Sequence, residues 1–392
     1  MNRLELHLIA AVSPSLAEVM RSCFLRAGLS RTVGVERFVL GNPRGWLGSI
    51  YHNVLEKVSS ARPVDGLIDP TIDRLWNEAL EQKNSRNQNH ALDRRFGPPV
   101  SWPGYYLVKA SVTLQAKNLL STRRPAAAAP REEDPERVEA QQIHRERRFS
   151  AYGGKLVGRP DVVRPGEIVD FKSGSLVEFD QDGRSERVKA AYVRQLRIYG
   201  FLVYEALGRW IQYGLLVPAI GPPVQVRLIP PDCETEASEA VGLLDHYNDL
   251  ILSNVDVRRL AVPSPTNCKW CPYKIICPSF WGATTADWTG SLDGAAVEGT
   301  VIELPRPIHG GAAMALTLSL QAGSEVCREI TIAPINPSVH VSIDSLMVGE
   351  VVRVVGLRIR PDGIFVPELR TVIVRVSEVP AIAVNLGRTQ ET

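Results

Sequence analysis

Apolar positions recur at helical spacing between Pro43 and Ser59 and predict an amphipathic helix. The positions that form its apolar stripe are Leu47, Ile50, Tyr51, Val54, Leu55 and Val58. His52 lies at the edge of this stripe, where the pattern alone favours a half-buried histidine. Gly48 lies one turn earlier, and a glycine inside a helix costs about 1 kcal/mol relative to alanine. The sequence therefore predicts that another part of the chain approaches this helix closely at Gly48.

Two short runs that contain Val, Ile and Phe flank a turn at Arg164-Pro165-Gly166. Proline presets a φ angle that suits a turn, and glycine tolerates a positive φ angle. These runs are residues 158–163 and 167–174, and both are short. We expect two strands, joined by this turn into a β-hairpin.

The second strand of the hairpin carries two charged side chains on one face. Asp170 and Lys172 are two residues apart and point to the same side, whereas Val169 and Phe171 point to the other side. An aspartate and a lysine are poor core residues, but they fit a metal site with a positive charge beside it. Asp161 is placed to supply a second carboxylate from the neighbouring strand. The hairpin is therefore the candidate catalytic centre.

A long helix is predicted from Val188 to about Leu207. Gln195 and Tyr199 lie four residues apart in this helix, so their side chains share a face. By themselves, these two residues indicate an ordinary helix with a buried tyrosine.

Three cysteines follow the pattern C-x2-C-x5-C, at Cys268, Cys271 and Cys277. In a reducing compartment, thiols at this spacing indicate a metal ion or an iron–sulfur cluster rather than disulfides. Structural zinc sites and such clusters usually take four protein ligands, so a fourth ligand is needed. The candidates for it are Cys23, Cys233 and Cys327. The spacing alone leaves both zinc and a cluster open.

The composition changes after residue 282. The stretch from Val297 to Val376 is rich in Val, Ile and Leu, in short alternating runs that glycine and proline interrupt. About five or six strands in roughly 80 residues predict a small β-barrel, similar to an OB-fold. We therefore expect two domains: an α/β domain over residues 1–282 and a β-rich domain over residues 283–392.

Charge is distributed unevenly over these two parts. Of the 45 basic and 43 acidic residues of the chain, the part after residue 282 holds 8 arginines, no lysine and 12 acidic residues. The first 282 residues therefore carry a net charge of +6, which directs any phosphate contacts to them. No apolar run approaches the roughly 20 residues of a membrane helix. The start of the sequence lacks a signal-peptide pattern, so a cytoplasmic protein is expected.

Taken together, these motifs resemble those of the PD-(D/E)XK nuclease superfamily. Within it they look most like RecB-type nucleases with an iron–sulfur cluster, such as the AddB nuclease domain and the CRISPR-associated RecB-like exonucleases. The resemblance covers residues 13–282. In the order of the family, the matching positions are Cys23, Gly48 with His52, Gly158 with Asp161, Asp170 with Lys172, Gln195 with Tyr199, and Cys268 with Cys271 and Cys277. It implies a restriction-endonuclease-like α/β core, in which helices flank a central mixed sheet.

The resemblance also implies roles for the residues of the hairpin and its surroundings. The implied ligands of a divalent metal, Mg²⁺ or Mn²⁺, are His52, Asp161, Asp170 and the carbonyl oxygen of Phe171. Lys172 would position or activate the attacking water. Gln195 and Tyr199 would orient this lysine or the nucleic-acid strand. The side chains of Asp161, Asp170, Lys172, Gln195 and Tyr199 are therefore the expected catalytic set.

For the cysteines, the resemblance implies a [4Fe–4S] cluster rather than zinc. It makes Cys23 the fourth ligand, beside Cys268, Cys271 and Cys277. A cluster of this kind would join the two ends of the nuclease domain and contribute directly to folding.

The leading expectation is a metal-dependent DNA nuclease that acts on single strands or DNA ends, in recombination and repair, CRISPR adaptation or antiphage defence. The sequence has no Walker A motif, so any unwinding would need a partner. Because the C-terminal part is acidic and poor in aromatics, docking of a helicase or defence-complex protein, or an architectural role, is favoured slightly over nucleic-acid binding.

Two other interpretations exist. A non-catalytic DNA-binding or assembly subunit does not explain why all of His52, Asp161, Asp170 and Lys172 are present. A zinc-stabilised, β-rich interaction protein does not explain the charged hairpin.

Overall fold

The structure is a computed structural model. It describes residues 3–60, 68–121, 143–179, 186–288, 290–308, 311–325, 328–340 and 343–385.

The α-helices of the described residues cluster in the first three quarters of the chain. They are α1 (Pro14–Ser22), α2 (Phe24–Leu29), α3 (Pro43–Ser60), α4 (Ile68–Asn89), α5 (Tyr105–Ser121), α6 (Ala190–Leu207), α7 (Pro230–Leu252), α8 (Pro265–Cys268) and α9 (Pro278–Ala283). The two helices predicted around His52 and Gln195 are α3 and α6, and α6 begins two residues later than expected. Among the described residues, no helix has the length and apolar character needed to cross a lipid bilayer.

The strands of the first part of the chain form one central sheet and several two-stranded ribbons. They are β1 (Arg3–Leu6), β2 (His144–Arg145), β3 (Phe149–Ala151), β4 (Leu156–Gly158), β5 (Val162–Arg164), β6 (Glu167–Lys172), β7 (Val177–Phe179), β8 (Glu186–Val188), β9 (Tyr213–Pro218) and β10 (Val224–Arg227). The central sheet has the order β10-β9-β6-β5-β2. Its β6–β9 pair is parallel and the other pairs are antiparallel. This mixed sheet, with the predicted β5–β6 hairpin inside it, agrees with the α/β expectation.

Helices cover both faces of the sheet. On one face α3, α4 and α5 bury Val169 and Phe171 of β6, as the alternation of that strand predicts. On the other face α6 and α7, with α1 and α2, bury Ile168. Asp170 is two residues from Ile168, so it shares the face that α6 covers. The charged pair of the hairpin therefore lies in the layer between β6 and α6.

The last part of the chain contains a closed barrel. Its strands are β11 (Ala295–Val301), β13 (Met314–Gly323), β14 (Glu329–Ile335), β15 (Val351–Ile359) and β16 (Phe365–Arg375), with β12 (Arg306–Pro307) added beside β13. The order is β11-β15-β16-β14-β13, and β13 closes the ring by pairing with β11. The β14–β16 pair is parallel. Aliphatic residues from these strands fill the interior. The prediction of a small β-barrel is confirmed.

The barrel is joined to the first part of the chain at several points. β1 pairs in parallel with β17 (Ala381–Val384), which follows the barrel, with Arg3 opposite Ala381. Arg353 of the barrel donates to the carbonyl oxygen of Ile275 at 3.0 Å and lies 5.1 Å from the Trp281 ring. Trp288, between α9 and the barrel, is buried in the core of the first part. The barrel is thus packed against the segment that carries the three clustered cysteines.

Candidate active site

The carboxylate of Asp161 is held against β6. Its Oδ2 accepts a hydrogen bond from the backbone N–H of Phe171 at 2.6 Å. Three residues earlier, Gly158 packs tightly against α6. A Cβ at Gly158 would lie 2.5 Å from Leu202 Cδ1 and 3.0 Å from Tyr199 Cε1. Because only glycine allows this approach, the G-x-x-D motif positions Asp161 through packing as well as through a hydrogen bond.

A chain of polar contacts runs from β6 to α6. Lys172 Nζ lies 2.6 Å from Asp170 Oδ2 and donates to Gln195 Oε1 at 2.7 Å. Gln195 Nε2 donates to Tyr199 Oη at 3.0 Å and to Asp170 Oδ1 at 3.4 Å. Tyr199 Oη in turn donates to the carbonyl oxygen of Arg159 at 3.4 Å. The structure therefore brings four of the predicted catalytic residues into one network.

His52 approaches the same centre from α3. Its Nδ1 lies 3.9 Å from Asp161 Oδ1. Burial lowers the pKa of His52, while Asp170 opposes this shift, so the neutral imidazole is favoured. A Cβ at Gly48 would lie 2.7 Å from Ser173 Oγ. The close approach predicted at Gly48 is thus to the residue that follows Lys172, and it sets α3 against the end of β6.

Glu146 belongs to this site, although the sequence analysis did not single it out. Its backbone N–H donates to the carbonyl oxygen of Asp161 at 3.1 Å, and its carboxylate pairs with Arg159 Nε at 3.1 Å. Burial, together with the charge of Asp161, raises the pKa of Glu146 to about 8. A lone glutamate among arginines carries no motif, and its position depends on the pairing of β2 with β5. Only the folded chain shows its proximity to Asp161.

Carboxylates crowd together in this site. Burial raises the pKa of Asp170 to about 6; Lys172 opposes the shift and Asp161 adds to it. Burial also raises the pKa of Asp161. A divalent cation relieves repulsion of this kind, because it compensates charges that the protein has removed from water.

The expected metal ligands nevertheless make contacts within the protein. Asp161 Oδ2 accepts from the Phe171 N–H, and Asp170 Oδ2 is next to the Lys172 ammonium, although outside hydrogen-bonding geometry. In the described part of the chain, no group of three or more His, Cys, Asp or Glu side chains is arranged to hold a metal ion. Among the described residues, His52, Asp161 and Asp170 therefore do not form a preformed ligand cage, and their role as metal ligands stays a prediction. The donor types and their charge still suit Mg²⁺ or Mn²⁺.

The cysteines of the predicted cluster line a common cavity. Its wall contains Cys23, Cys268, Cys271 and Cys277. Burial raises the pKa of the Cys271 thiol to about 11 and that of the Cys277 thiol to about 12. Like the carboxylates, these thiols do not form a preformed metal cage among the described residues.

The other two candidates for the fourth ligand lie elsewhere. Cys233 is fully buried on α7, where a Cβ at Gly200 of α6 would lie 3.3 Å from its Sγ. Cys327 lies outside the described residues.

Comparison with known proteins gives the family. The chain belongs to the PD-(D/E)XK nuclease superfamily, whose sequence model matches residues 11–278. The match runs from before α1 to just past Cys277. A solved structure from Eubacterium rectale, of a protein named as a candidate exonuclease, is similar over 61% of this chain and 80% of that one, with 12% identity and a TM-score of 0.33. That similarity is too low to add to the assignment. No curated protein matches this chain.

Proposed function

We propose that this nuclease-superfamily member is a RecB-like, metal-dependent deoxyribonuclease that hydrolyses phosphodiester bonds in single-stranded DNA or at DNA ends. The observation that carries the proposal is the contact of Lys172 with both Asp170 and Gln195, beside Asp161. It combines a carboxylate pair with a fixed ammonium in the layer between β6 and α6. Carboxylates that can hold a metal, next to a fixed positive charge, suit the hydrolysis of a phosphodiester.

In this proposal Asp161, Asp170, His52 and the carbonyl oxygen of Phe171 hold the metal, and Glu146 contributes a further carboxylate. When bound, the metal polarises the phosphate and lowers the pKa of its water from about 15.7. The protein residues hold the metal ligands and the lysine in position. The Phe171 N–H fixes one carboxylate oxygen of Asp161, which leaves its other oxygen facing His52.

Lys172 is the residue that stabilises charge at the phosphate. Gln195 Oε1 and Asp170 Oδ2 hold its ammonium from two sides, and the Tyr192 ring lies 4.7 Å from Nζ. A positive charge fixed in a water-poor layer stabilises developing negative charge more strongly than one in solution. Tyr199 acts one step further away, because it orients Gln195.

We further propose that Cys23, Cys268, Cys271 and Cys277 bind a [4Fe–4S] cluster with a structural role. In support, these four residues line one cavity, although Cys23 is far from the others in sequence. A cluster there would tie α1 and α2 to the segment that packs against the barrel. Zinc at the same thiolates is the competing occupant, and it would leave the protein colourless.

For the barrel, we propose an OB-fold that docks a protein partner, such as a helicase or a component of a defence complex. The strand order and the parallel β14–β16 pair support the OB assignment. The acidic composition after residue 282 supports a protein partner over nucleic acid on the barrel's own outer surface.

The test is a cleavage assay with protein purified without oxygen. End-labelled single- and double-stranded DNA and RNA are incubated with Mg²⁺ or Mn²⁺, or with EDTA, and circular DNA separates end-dependent from internal cleavage. We expect metal-dependent degradation of linear single-stranded DNA. Substantial metal-dependent cleavage by the Asp170→Asn, Lys172→Met double variant would refute the assignment of the site.

A further inference from the structure

A groove lies where the barrel, the cysteine segment and the start of α3 meet. Its walls come from residues 40–43, from the pair Arg95 and Phe96, from residues 269–274, and from Gly356 and Arg370 of the barrel. The cavity has a volume of about 170 Å³. Four separate parts of the chain therefore combine to form it, and the proposed active site uses none of these residues.

Positive charge dominates the groove. Its cationic residues are Arg95, Lys269, Lys274 and Arg370, and its acidic residue is Asp293. Asp293 already pairs with Arg370.

Two of the cations are largely buried, and each has one acidic residue nearby: Asp293 for Lys274 and Asp93 for Arg95. Lys274 is 6% exposed, and its Nζ donates to the carbonyl oxygen of Lys269 at 3.1 Å, which is a neutral acceptor. The buried Nη1 of Arg95 has no hydrogen-bond partner among the described residues. Burying charge is costly, so an anion bound here would further stabilise both side chains.

Aromatic rings alternate with these cations. Trp270, between Lys269 and Cys271, is 65% exposed, although large aromatic side chains usually bury most of their surface. The ammonium of Lys269 lies 5.7 Å from the centre of the Trp270 ring. Elsewhere in the lining, the guanidinium of Arg95 lies 4.4 Å from the centre of the Phe96 ring. Phe96 is half-buried and packs against Trp46, so the accessible ring is that of Trp270. A cation beside such a ring suits a chain of phosphates and bases.

The groove is connected to the proposed active site by α3. The helix begins at Pro43, which lines the groove, and His52 follows nine residues later. At 1.5 Å per residue the two points are about 14 Å apart, a distance of a few nucleotides. Both points lie on one continuous helix, which keeps this spacing fixed.

We propose that this groove binds single-stranded DNA a few nucleotides away from the scissile bond, with a base stacked on Trp270 and phosphates next to Arg95, Lys269 and Lys274. The choice of DNA as the ligand rests on the proposed function. The barrel contributes one wall, so it helps to guide the strand while its outer surface remains free for a partner.

The test is binding without cleavage. Fluorescence anisotropy with a labelled 20-nucleotide oligo-dT, in EDTA, is measured for the wild-type protein and for Trp270→Ala and Lys269→Ala. We expect Trp270→Ala to weaken binding by about 5- to 150-fold, the range found when a stacked base loses its ring. Lys269→Ala should reduce the slope of log affinity against log salt by about 0.7. Trp270→Phe, which keeps a ring, should restore most of the affinity.

Two matched controls separate the groove from general surface effects. Tyr106 is 70% exposed on α5, and the Arg306 side chain is 71% exposed beside the barrel. Tyr106→Ala and Arg306→Ala should bind within twofold of the wild type. Unchanged thermal stability and visible absorbance of the groove variants show that the neighbouring cysteines are intact. If Trp270→Ala loses that absorbance, the proposal is judged from two other measurements: the DNA affinity of Trp270→Phe and the salt dependence of DNA binding by Lys269→Ala.

The outcomes distinguish this proposal from the nuclease assignment. If the wild type cleaves single-stranded DNA but Trp270→Ala and Lys269→Ala bind it normally, the groove proposal is wrong and the nuclease proposal stands; the exposed tryptophan is then a protein contact. If these variants lose binding but the wild type cleaves no nucleic acid, the groove proposal stands and the nuclease proposal fails. Failure of the wild type to bind oligo-dT overturns the groove proposal directly.

Discussion

The amide oxygen of Gln195 accepts a hydrogen bond from Lys172 Nζ at 2.7 Å. Gln195 lies on α6 and Lys172 on β6. The amide nitrogen of Gln195, Nε2, donates to Tyr199 Oη and to Asp170 Oδ1. Gln195 therefore fixes the lysine relative to the carboxylate beside it. A lysine side chain is long and flexible, so without such a partner its ammonium would sample several positions.

The first prediction concerns this contact. Gln195→Ala should lower the rate of cleavage by about 10- to 100-fold, the usual cost of losing a residue that orients a metal ligand. The proposed metal ligand in contact with Gln195 is Asp170, to which its Nε2 donates. The rate constant at saturating DNA should fall more than the affinity for DNA, because Gln195 acts through Lys172 and Asp170. Gln225→Ala, on the edge strand β10, serves as the control and should leave both unchanged. Equal losses in rate and in DNA affinity would contradict a role in orienting the lysine.

A second prediction concerns Glu146. Its carboxylate lies close to Asp161, so Glu146→Gln should weaken Mn²⁺ binding by about 10- to 100-fold. Titration calorimetry or the paramagnetic resonance of free Mn²⁺ measures this without any cleavage. Glu56→Gln is the matched control, because Glu56 pairs with Arg159 just as Glu146 does. An equal loss in both variants would indicate a general effect of charge and exclude Glu146 as a metal ligand.

The cysteines give a third prediction. Cys23→Ser should abolish the visible absorbance that thiolate-bound iron produces and lower the thermal stability. Cys233→Ser should retain the absorbance, since Cys233 lies between α6 and α7, away from the cavity. Iron and zinc contents, measured on protein prepared without oxygen, complete the comparison. A colourless, zinc-loaded and fully active preparation would rule out the cluster.

The fourth prediction concerns pH and stability. His340 is 8% exposed, and Arg37, Arg95 and Glu378 line the same cavity. Burial, with a smaller effect of Arg95, lowers the pKa of His340 from 6.5 to about 4. The unfolded chain therefore binds the proton more readily, and His340 destabilises the fold as the pH falls from about 6.5 towards 4.

Between pH 6.5 and pH 5 this cost is about 2 kcal/mol. Urea unfolding of the wild type should show it, and His340→Gln should lack it, because the variant has no proton to gain. Both proteins also lose stability through other groups, so the informative quantity is the difference between them. Identical pH profiles would mean that His340 is protonated at little cost in the folded protein.

Local periodicity was sufficient for the elements that carry the site. The spacing of Asp170 and Lys172 placed both on one face of a strand, and the spacing of Gln195 and Tyr199 placed both on one face of a helix. The close approach at Gly48 was also predictable, because a glycine inside a helix has a local cost. Periodicity does not show which helix packs against which strand. These residues form one network only because α6 packs against β6.

The parts that the sequence did not reveal depend on pairing between distant segments. Glu146 reaches Asp161 only because β2 joins the sheet beside β5. The groove beside Trp270 requires the barrel to pack against the cysteine segment. The number of barrel strands followed from the alternating runs, whereas closure through the β11–β13 pair depends on the twist of the whole sheet.

The parallel pair of β1 and β17 has a consequence for the biosynthesis of the protein. Residues 3–6 leave the ribosome early, and their partner, residues 381–384, emerges only after the barrel has been made. Throughout that interval β1 has an unpaired edge that carries Leu4 and Leu6, both buried in the finished protein. Unpaired apolar edges invite association with other chains. Nascent chains of this protein should therefore depend on chaperones, and a nuclease part produced without residues 381–384 should aggregate even when its own sheet and helices are complete.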